Sequence, residues 1–325
     1  MRPLAVIGQI TETQAIPEAD RIHSVTVDCG GEGTWRAVAP KAIQAGDPVV
    51  VFLQDALLPA EDPRFAFLKQ QKFRIVMRRF KGAPSECLVL PNDSGISEVG
   101  ADVTEYYRVT KYEKPVPAFM AGEAIGAFPT NRCPITDEEN FQRVPERVAR
   151  MATDPYYITE KADGTSCTAW TDAQGLHVCS RKLELREFSL ANPEKSNLYW
   201  RMARAYGLDR LPEGLFLQFE IIGPGVQGNP LRLEQNEIRV FSGYSETERR
   251  YLPYADLCAL CDRLDLPKAR LIQRNTTPSG SVPTADSLLK LAEIEYLPGV
   301  IGEGIVIRAL DSSWSFKVIN LLYKN

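Results

Sequence analysis

The chain has only 2 histidines in 325 residues, which leaves little room for chemistry that depends on imidazole. His23 and His177 lie far apart in strand-like stretches, where an ordinary strand role outweighs proton transfer. Cysteine has no useful pattern. The 7 thiols at 29, 87, 133, 167, 179, 258 and 261 form no paired framework, which argues against a disulfide scaffold. Cys258-Ala259-Leu260-Cys261 has zinc spacing but falls in an amphipathic helical pattern with no second pair or histidine nearby. No apolar run approaches the length of a membrane span, and Met1–Gly8 lacks the apolar core of a secretory signal, so the expectation is a cytoplasmic, monomeric protein without membrane partners. Basic excess is missing too: 38 Lys+Arg against 42 Asp+Glu give a net charge of −4, so any contact with nucleic acid must come from a local patch. Hydrophobic content of 44% and charged content of 25% are those of a globular protein. The length allows two domains, and the sequence shows no repeat or low-complexity segment.

Residues 1–107 read as short strands separated by turns, at Leu4–Ile10, Ile22–Val27, Thr34–Val38, Pro48–Leu53 and Phe73–Met77. Five such strands fit an all-β OB-like barrel. Within it Lys69, Lys72, Arg74, Arg78, Arg79 and Lys81 make a basic run without an acidic residue, interleaved with Phe73 and Phe80, which is phosphate-binding chemistry beside stacking surface. Residues 108–117, charged and proline-bearing, read as a linker. From 118 to 325, strand-like runs at 154–160, 166–171, 176–180, 215–222, 237–244, 303–309 and 314–319 alternate with helical patterns near 194–206, 253–264 and 284–294. That mixture, without βαβ regularity, predicts an α+β domain of antiparallel sheets and helices.

The most informative feature is Lys161-Ala162-Asp163-Gly164, placed just after the apolar run Tyr156-Tyr157-Ile158-Thr159. A lysine at a strand end can attack the α-phosphorus of a nucleoside triphosphate if its amine first loses a proton, so neighbouring cations are expected to lower its pKa. Asp163-Gly164 would turn the chain, the glycine permitting close phosphate approach and the aspartate helping to hold a metal-bound water. Glu160 can accept a hydrogen bond from the exocyclic amine of adenine. Guanine presents an oxygen at that edge, so the acceptor favours ATP. Glu220 closes the strand Phe216-Leu217-Gln218-Phe219, where it can accept ribose hydroxyls, and Gly223-Pro224-Gly225 follows it. Arg181 is a candidate clamp for phosphates or ribose. Glu303, just before the buried pattern Ile305-Val306-Ile307, would sit beside the phosphates through metal-bound waters. Lys317 alternates with apolar neighbours, and its charge would meet phosphate and depress the pKa of Lys161.

These segments, with Ser180-Arg181, Arg239-Val240-Phe241, Gly302–Arg308 and Ser315-Phe316-Lys317, resemble in type and order motifs I, Ia, III, IIIa, IV and V of the ATP-dependent ligase and capping-enzyme superfamily. The chain looks most like the RNA nick-joining ligases of the Deinococcus and Naegleria type, which carry an N-terminal OB domain. The resemblance implies a fold of adenylyltransferase domain behind an OB barrel, ATP with Mg2+ or Mn2+ as cofactors, RNA as partner and a lysyl-AMP intermediate. It makes Phe241 the ring on which adenine stacks. It implies catalytic roles for Lys161, Lys317, Glu303 and Arg181, nucleotide contacts from these and from Glu160, Asp163, Gly164, Glu220 and Phe241, and water-mediated metal contacts from Asp163 and Glu303. Two departures stand out. Motif V usually has two lysines one residue apart, whereas Ser315 and Ile319 flank Lys317 at that spacing. In the segment Thr136–Phe141, Asn140 stands where an arginine for pyrophosphate is expected, with Arg143 as a candidate replacement. The alternatives are a DNA ligase or GTP-using capping enzyme, which usually carry the OB domain after the position of Lys317, and a non-catalytic RNA-binding protein, against which the joint presence of Lys161, Glu220, Glu303 and Lys317 argues.

Overall fold

The computed structural model describes residues 3–112, 123–135, 137–188 and 196–323. Of the expected linker, residues 113–117 lie outside the described residues. The chain divides into two compact units, one of residues 1–115, 140–145 and 321–325 and the other of 116–139 and 146–320.

The first unit is built on a five-stranded antiparallel sheet ordered Thr34–Pro40, Ile22–Asp28, Ala5–Ala15, Pro48–Phe52 and Leu88–Pro91. The central strand curls. Its register slips between Ile10 and Glu12, and a bulge of that kind bends a strand and sharpens its twist. Gly8 lies on the same strand, and a Cβ there would come within 2.6 Å of Val27 and 2.9 Å of Val51. Beneath the sheet, Phe52 is fully buried with its ring edge-on to Phe65 at 5.4 Å and to Tyr107 at 5.2 Å.

The expected strand at Phe73–Met77 does not form. Asp62 caps a 3-10 helix, Pro63–Gln71, by accepting from the Arg64 N–H. Lys72 closes it with φ of 52° and Phe73 follows at 59°. Left-handed backbone at both residues is incompatible with an extended run, so only a single bridge, Leu57 with Arg74, remains. The fifth barrel strand is Leu88–Pro91.

The second unit holds a seven-stranded sheet, ordered Ala124–Ala127, Leu183–Leu185, Gly175–Ser180, Thr165–Asp172, Leu215–Ile222, Glu237–Ser245 and Arg250–Tyr251. A four-stranded sheet is ordered Leu271–Asn275, Tyr156–Glu160, Gly304–Ala309 and Ser315–Ile319. Helices Leu198–Ala205 and Tyr254–Leu264 cover one face of the larger sheet and bury Leu217, Phe219 and Ile221 in the main core. Asn197 caps the first of them by accepting from the Trp200 N–H, a helix start that its side chain favours. Cys258 lies on the second helix, and among the described residues no group of three or more His, Cys, Asp and Glu side chains could hold a metal ion by itself. No described helix is long and apolar enough to cross a membrane.

Because Phe52 fills the centre of the first core, Phe52→Ala should destabilise that unit by about 3–5 kcal/mol, read as a lowered urea midpoint. An unchanged midpoint would show that the ring contributes little.

Candidate nucleotidyl-transfer site

The smaller sheet sets the site. Tyr156–Glu160 pairs antiparallel with Gly304–Ala309, Glu160 lying opposite Ile305. The ladder continues one step past the strand, where the Lys161 N–H donates to the Gly304 carbonyl at 2.8 Å. This pairing brings Lys161 to Glu303, and its Nζ lies 2.7 Å from Glu303 Oε2. Asp163 is buried directly after the lysine. Glu220 joins from the larger sheet, its Oε1 accepting from the Gly164 N–H at 3.1 Å. A Cβ on Gly164 would come within 2.2 Å of the Ile221 carbonyl oxygen. The glycine therefore permits the approach of the Leu215–Ile222 strand, and with it Glu220, rather than leaving space for a phosphate.

The electrostatics run opposite to expectation. Burial disfavours the Lys161 ammonium, but the charges of Glu303 and Glu220, the hydrogen bond to Glu303 and the charge of Asp163 outweigh it and raise its pKa above the ordinary 10.5. Among these influences the carboxylates decide the direction, and the protonated lysine is paired. A sequence gives no hint of this, because Glu220 and Glu303 are remote from Lys161 along the chain.

Other expected residues are distributed more widely. Lys317 lies opposite Val306, itself opposite Thr159, so these three share the face to which Lys161 returns by strand alternation. The Lys317 N–H donates to the Glu139 carbonyl at 2.7 Å. Glu160 alternates to the other face and is buried, with Oε2 2.9 Å from Arg270 Nε. Burial pushes its carboxyl pKa up, against the charges of Arg270 and Arg239. Arg181 pairs with Asp137 at 2.9 Å, both half exposed. Phe241 sits where the pairing of Glu237–Ser245 slips, between Ser242 opposite Gln218 and Val240 opposite Phe219. A bulge re-aims a side chain, and the Arg308 guanidinium lies 5.8 Å from the Phe241 ring.

Several residues were not singled out from the sequence. Tyr296, buried on the short strand Glu295–Leu297, places its hydroxyl among the backbones of Lys161, Asp163 and Glu303. Pro298-Gly299 signals its hairpin, but nothing local marks the tyrosine. Buried Arg308 donates to Glu138 Oε1 at 2.8 Å while the Ser315 hydroxyl donates to Glu138 Oε2 at 2.6 Å. Ser315, which stands in place of a second motif V lysine, thus anchors a carboxylate.

The candidates from the first unit are also engaged in part. Asn140 is buried and donates to Gln54 Oε1 at 2.6 Å. Arg143 donates to the Pro3 carbonyl at 3.2 Å, lies 3.7 Å from Glu32 and stands over the Trp35 ring at 5.9 Å. Both are bound within their own unit, so the expectation that Arg143 stands in for a pyrophosphate-binding arginine gains no support. In the basic run, Arg74 pairs with Asp55 at 2.6 Å and stands over Tyr112 at 4.0 Å, and Lys81 donates to the Glu18 carbonyl. Lys69 and Lys72 are exposed, whereas Arg78 and Arg79 are half-buried on the hairpin strand Arg78–Phe80.

Residues 154–322 match the family model described as RNA ligase, and residues 4–92 match an OB-fold domain. The first match spans more than half of the 325 residues. The chain belongs to the RNA ligase family. It is similar over nearly its whole length to solved structures of Naegleria gruberi RNA ligase. An apo aspartate-to-alanine variant has a TM-score of 0.81 and 29% identity over 98% of this chain and 96% of that one. A lysine-to-alanine variant with ATP and Mn has a TM-score of 0.80 and 29% identity over 97% and 96%. A glutamate-to-alanine variant with AMP and Mn has a TM-score of 0.80 and 29% identity over 98% and 97%. No curated protein matches the sequence.

With Glu303 neutralised, the ammonium loses its paired carboxylate charge while burial still disfavours it. Glu303→Gln should therefore lower the pKa of Lys161, measured by NMR titration of its side chain. An unchanged or higher value would show that the carboxylate does not hold the ammonium. By linkage, the stabilisation from the wild-type pair is fully present at neutral pH. It is lost only as pH rises through the raised folded pKa.

Proposed function

We propose that the chain is an ATP-dependent RNA ligase that joins a 3′-hydroxyl to a 5′-phosphate through a lysyl-AMP intermediate. One observation carries the reading. Lys161 Nζ lies against Glu303, with Glu220 and Asp163 beside it, in a chain that matches RNA ligase structures bound to ATP or AMP with Mn along nearly its full length.

Lys161 is the nucleophile. Its Nζ forms a bond to the α-phosphorus of ATP while the bond from that phosphorus to the bridging oxygen breaks and pyrophosphate leaves. The amine must first part from Glu303 and lose its proton. Desolvation, which favours the neutral amine, then works for the reaction. A terminal 5′-phosphate oxygen of RNA next attacks the same α-phosphorus, and the nitrogen leaves and regains a proton. Finally the 3′-hydroxyl oxygen bonds to the 5′-phosphorus and AMP departs. Lys317, on the face shared with Lys161, would offset charge on the phosphates.

The donor chemistry fits a hard divalent cation. Asp163, Glu220 and Glu303 supply carboxylate oxygens of the kind magnesium and manganese prefer. Asp163 and Glu303 would hold the ion through water, since no three described side chains form a complete cage. When bound, the ion neutralises phosphate charge. For base recognition, Glu160 shares its carboxylate between Arg270 and the adenine amine, and Phe241 supplies the stacking ring.

The OB unit is the proposed RNA-binding surface. Lys69, Lys72 and Lys81 are exposed there, and Arg78 stands 5.9 Å from the exposed ring of Phe80. Positive side chains beside an accessible aromatic suit a phosphate backbone with unstacked bases.

Incubation with ATP and manganese followed by intact-mass measurement should add one AMP to the wild type and none to Lys161→Ala. An adduct on the mutant would remove Lys161 from its role, and labelling by GTP in place of ATP would move the chain to the capping class.

Arg78→Glu with Arg79→Glu should weaken binding of nicked RNA and flatten its salt dependence by roughly one to two units of slope, with the AMP adduct retained. Equal loss of both activities would make this hairpin structural.

A further inference from the structure

Tyr296 connects the two segments that carry the reacting groups. Its hydroxyl has one proton and two lone pairs, and all three have partners. It donates to the Lys161 carbonyl at 2.6 Å, accepts from the Asp163 N–H at 2.9 Å and accepts from the Glu303 N–H at 3.1 Å. One oxygen therefore fixes the backbone on both sides of Ala162 and the residue that pairs with the nucleophile. We propose that Tyr296 is a positioning residue for lysine adenylylation, holding the Lys161 amine and the Asp163 and Glu303 carboxylates in the geometry that transfer to Lys161 requires. The inference rests on the ligase reading above and adds a residue that acts through the backbone of the reacting segments.

The chemistry of the hydroxyl suits the task. Burial raises its pKa, with the nearby charge of Glu303 acting in the same direction, so it remains a donor to the Lys161 carbonyl. The ring is buried and stands on a two-stranded hairpin, Glu295–Leu297 with Val300–Ile301. The Gly302 N–H and the Ile294 carbonyl extend that hairpin at 2.8 Å to the residue before Glu303. Removing the oxygen would take away the shared partner of three backbone groups close to the nucleophile. Buried backbone groups do not stay unpaired, so the turn and the Glu303 segment would settle differently. Displacement of reacting groups by about 1 Å costs on the order of 100-fold in rate.

Tyr296→Phe tests this by single-turnover adenylylation with ATP and manganese, with the folded fraction taken from the reaction amplitude. The expected result is a rate constant lower by about 10–100-fold at saturating ATP. The ATP concentration at half-maximal rate should change less than about 3-fold, because the hydroxyl's three hydrogen bonds described above go to backbone groups. A variant that loses amplitude but keeps the wild-type rate constant would overturn the proposal and leave Tyr296 a stabilising residue only. If the phenylalanine protein does not fold, p-aminophenylalanine at 296 decides. Its amine can donate to the Lys161 carbonyl but is a poor acceptor for the two N–H groups, so adenylylation should still be slowed, and a wild-type rate would overturn the proposal. Failure of the wild type itself to form an AMP adduct would instead overturn the ligase reading, and the two failures are thus told apart.

Discussion

The contact between Lys161 and Glu303 depends on strand register. The two residues are 142 positions apart, and they meet because Tyr156–Glu160 pairs with Gly304–Ala309 so that the Lys161 N–H reaches the Gly304 carbonyl. A slip of one residue would exchange the faces of the strand, turning Glu160 toward the place of Lys161. Gly304 is needed for the same join. Its φ is 139°, and a Cβ there would lie 2.2 Å from the Val318 carbonyl oxygen and 3.0 Å from the backbone of Ile319 and Asn320. The Glu-Gly pair thus places a carboxylate at a strand start that no other residue type could occupy without moving the neighbouring strand.

Gly164 plays the corresponding part in the Lys-x-Asp-Gly turn. It admits the carbonyl of Ile221 and lets its own N–H hold Glu220. Gly164, which sequence reasoning assigns to phosphate approach, therefore acts first on the protein, and with Gly304 it draws two strands and their glutamates toward one lysine. The resulting group is acidic. Asp163, Glu220 and Glu303 stand against Lys161, which explains why the amine is stabilised in its charged form although burial alone would disfavour it.

Much of the second unit was legible because its buried strands are apolar runs ending at charged residues. Leu215–Ile222 and Gly304–Ala309 fall nearly where the pattern put them. The 3-10 helix Pro63–Gln71 was not read from the sequence, and Phe73–Met77 reads as a strand. Its β-favouring residues outweighed the cap at Lys72, whose left-handed backbone carries no compositional sign. Phe241 was named for its ring, but the bulge that aims it arises from pairing with Gln218 and Phe219. Tyr296 was missed for a related reason. It recognises backbone atoms, and backbone atoms have no letter in a sequence.

Two departures from the family pattern take on meaning together. Ser315 gives its hydroxyl to Glu138, and Glu138 in turn holds Arg308, which is buried close to Phe241. A lysine at 315 would compete with Arg308 for the one carboxylate, so the serine leaves that pair undisturbed. Asn140 and Arg143, meanwhile, are committed to contacts inside the OB unit. By strand register Lys317 lies on the sheet face shared with Lys161, as does Arg308, which Glu138 already pairs, while three carboxylates surround the nucleophile. Under the ligase reading, a triphosphate entering such a site would meet net negative charge. A divalent ion held there would bring positive charge with it and would also relieve the carboxylates that otherwise keep Lys161 protonated.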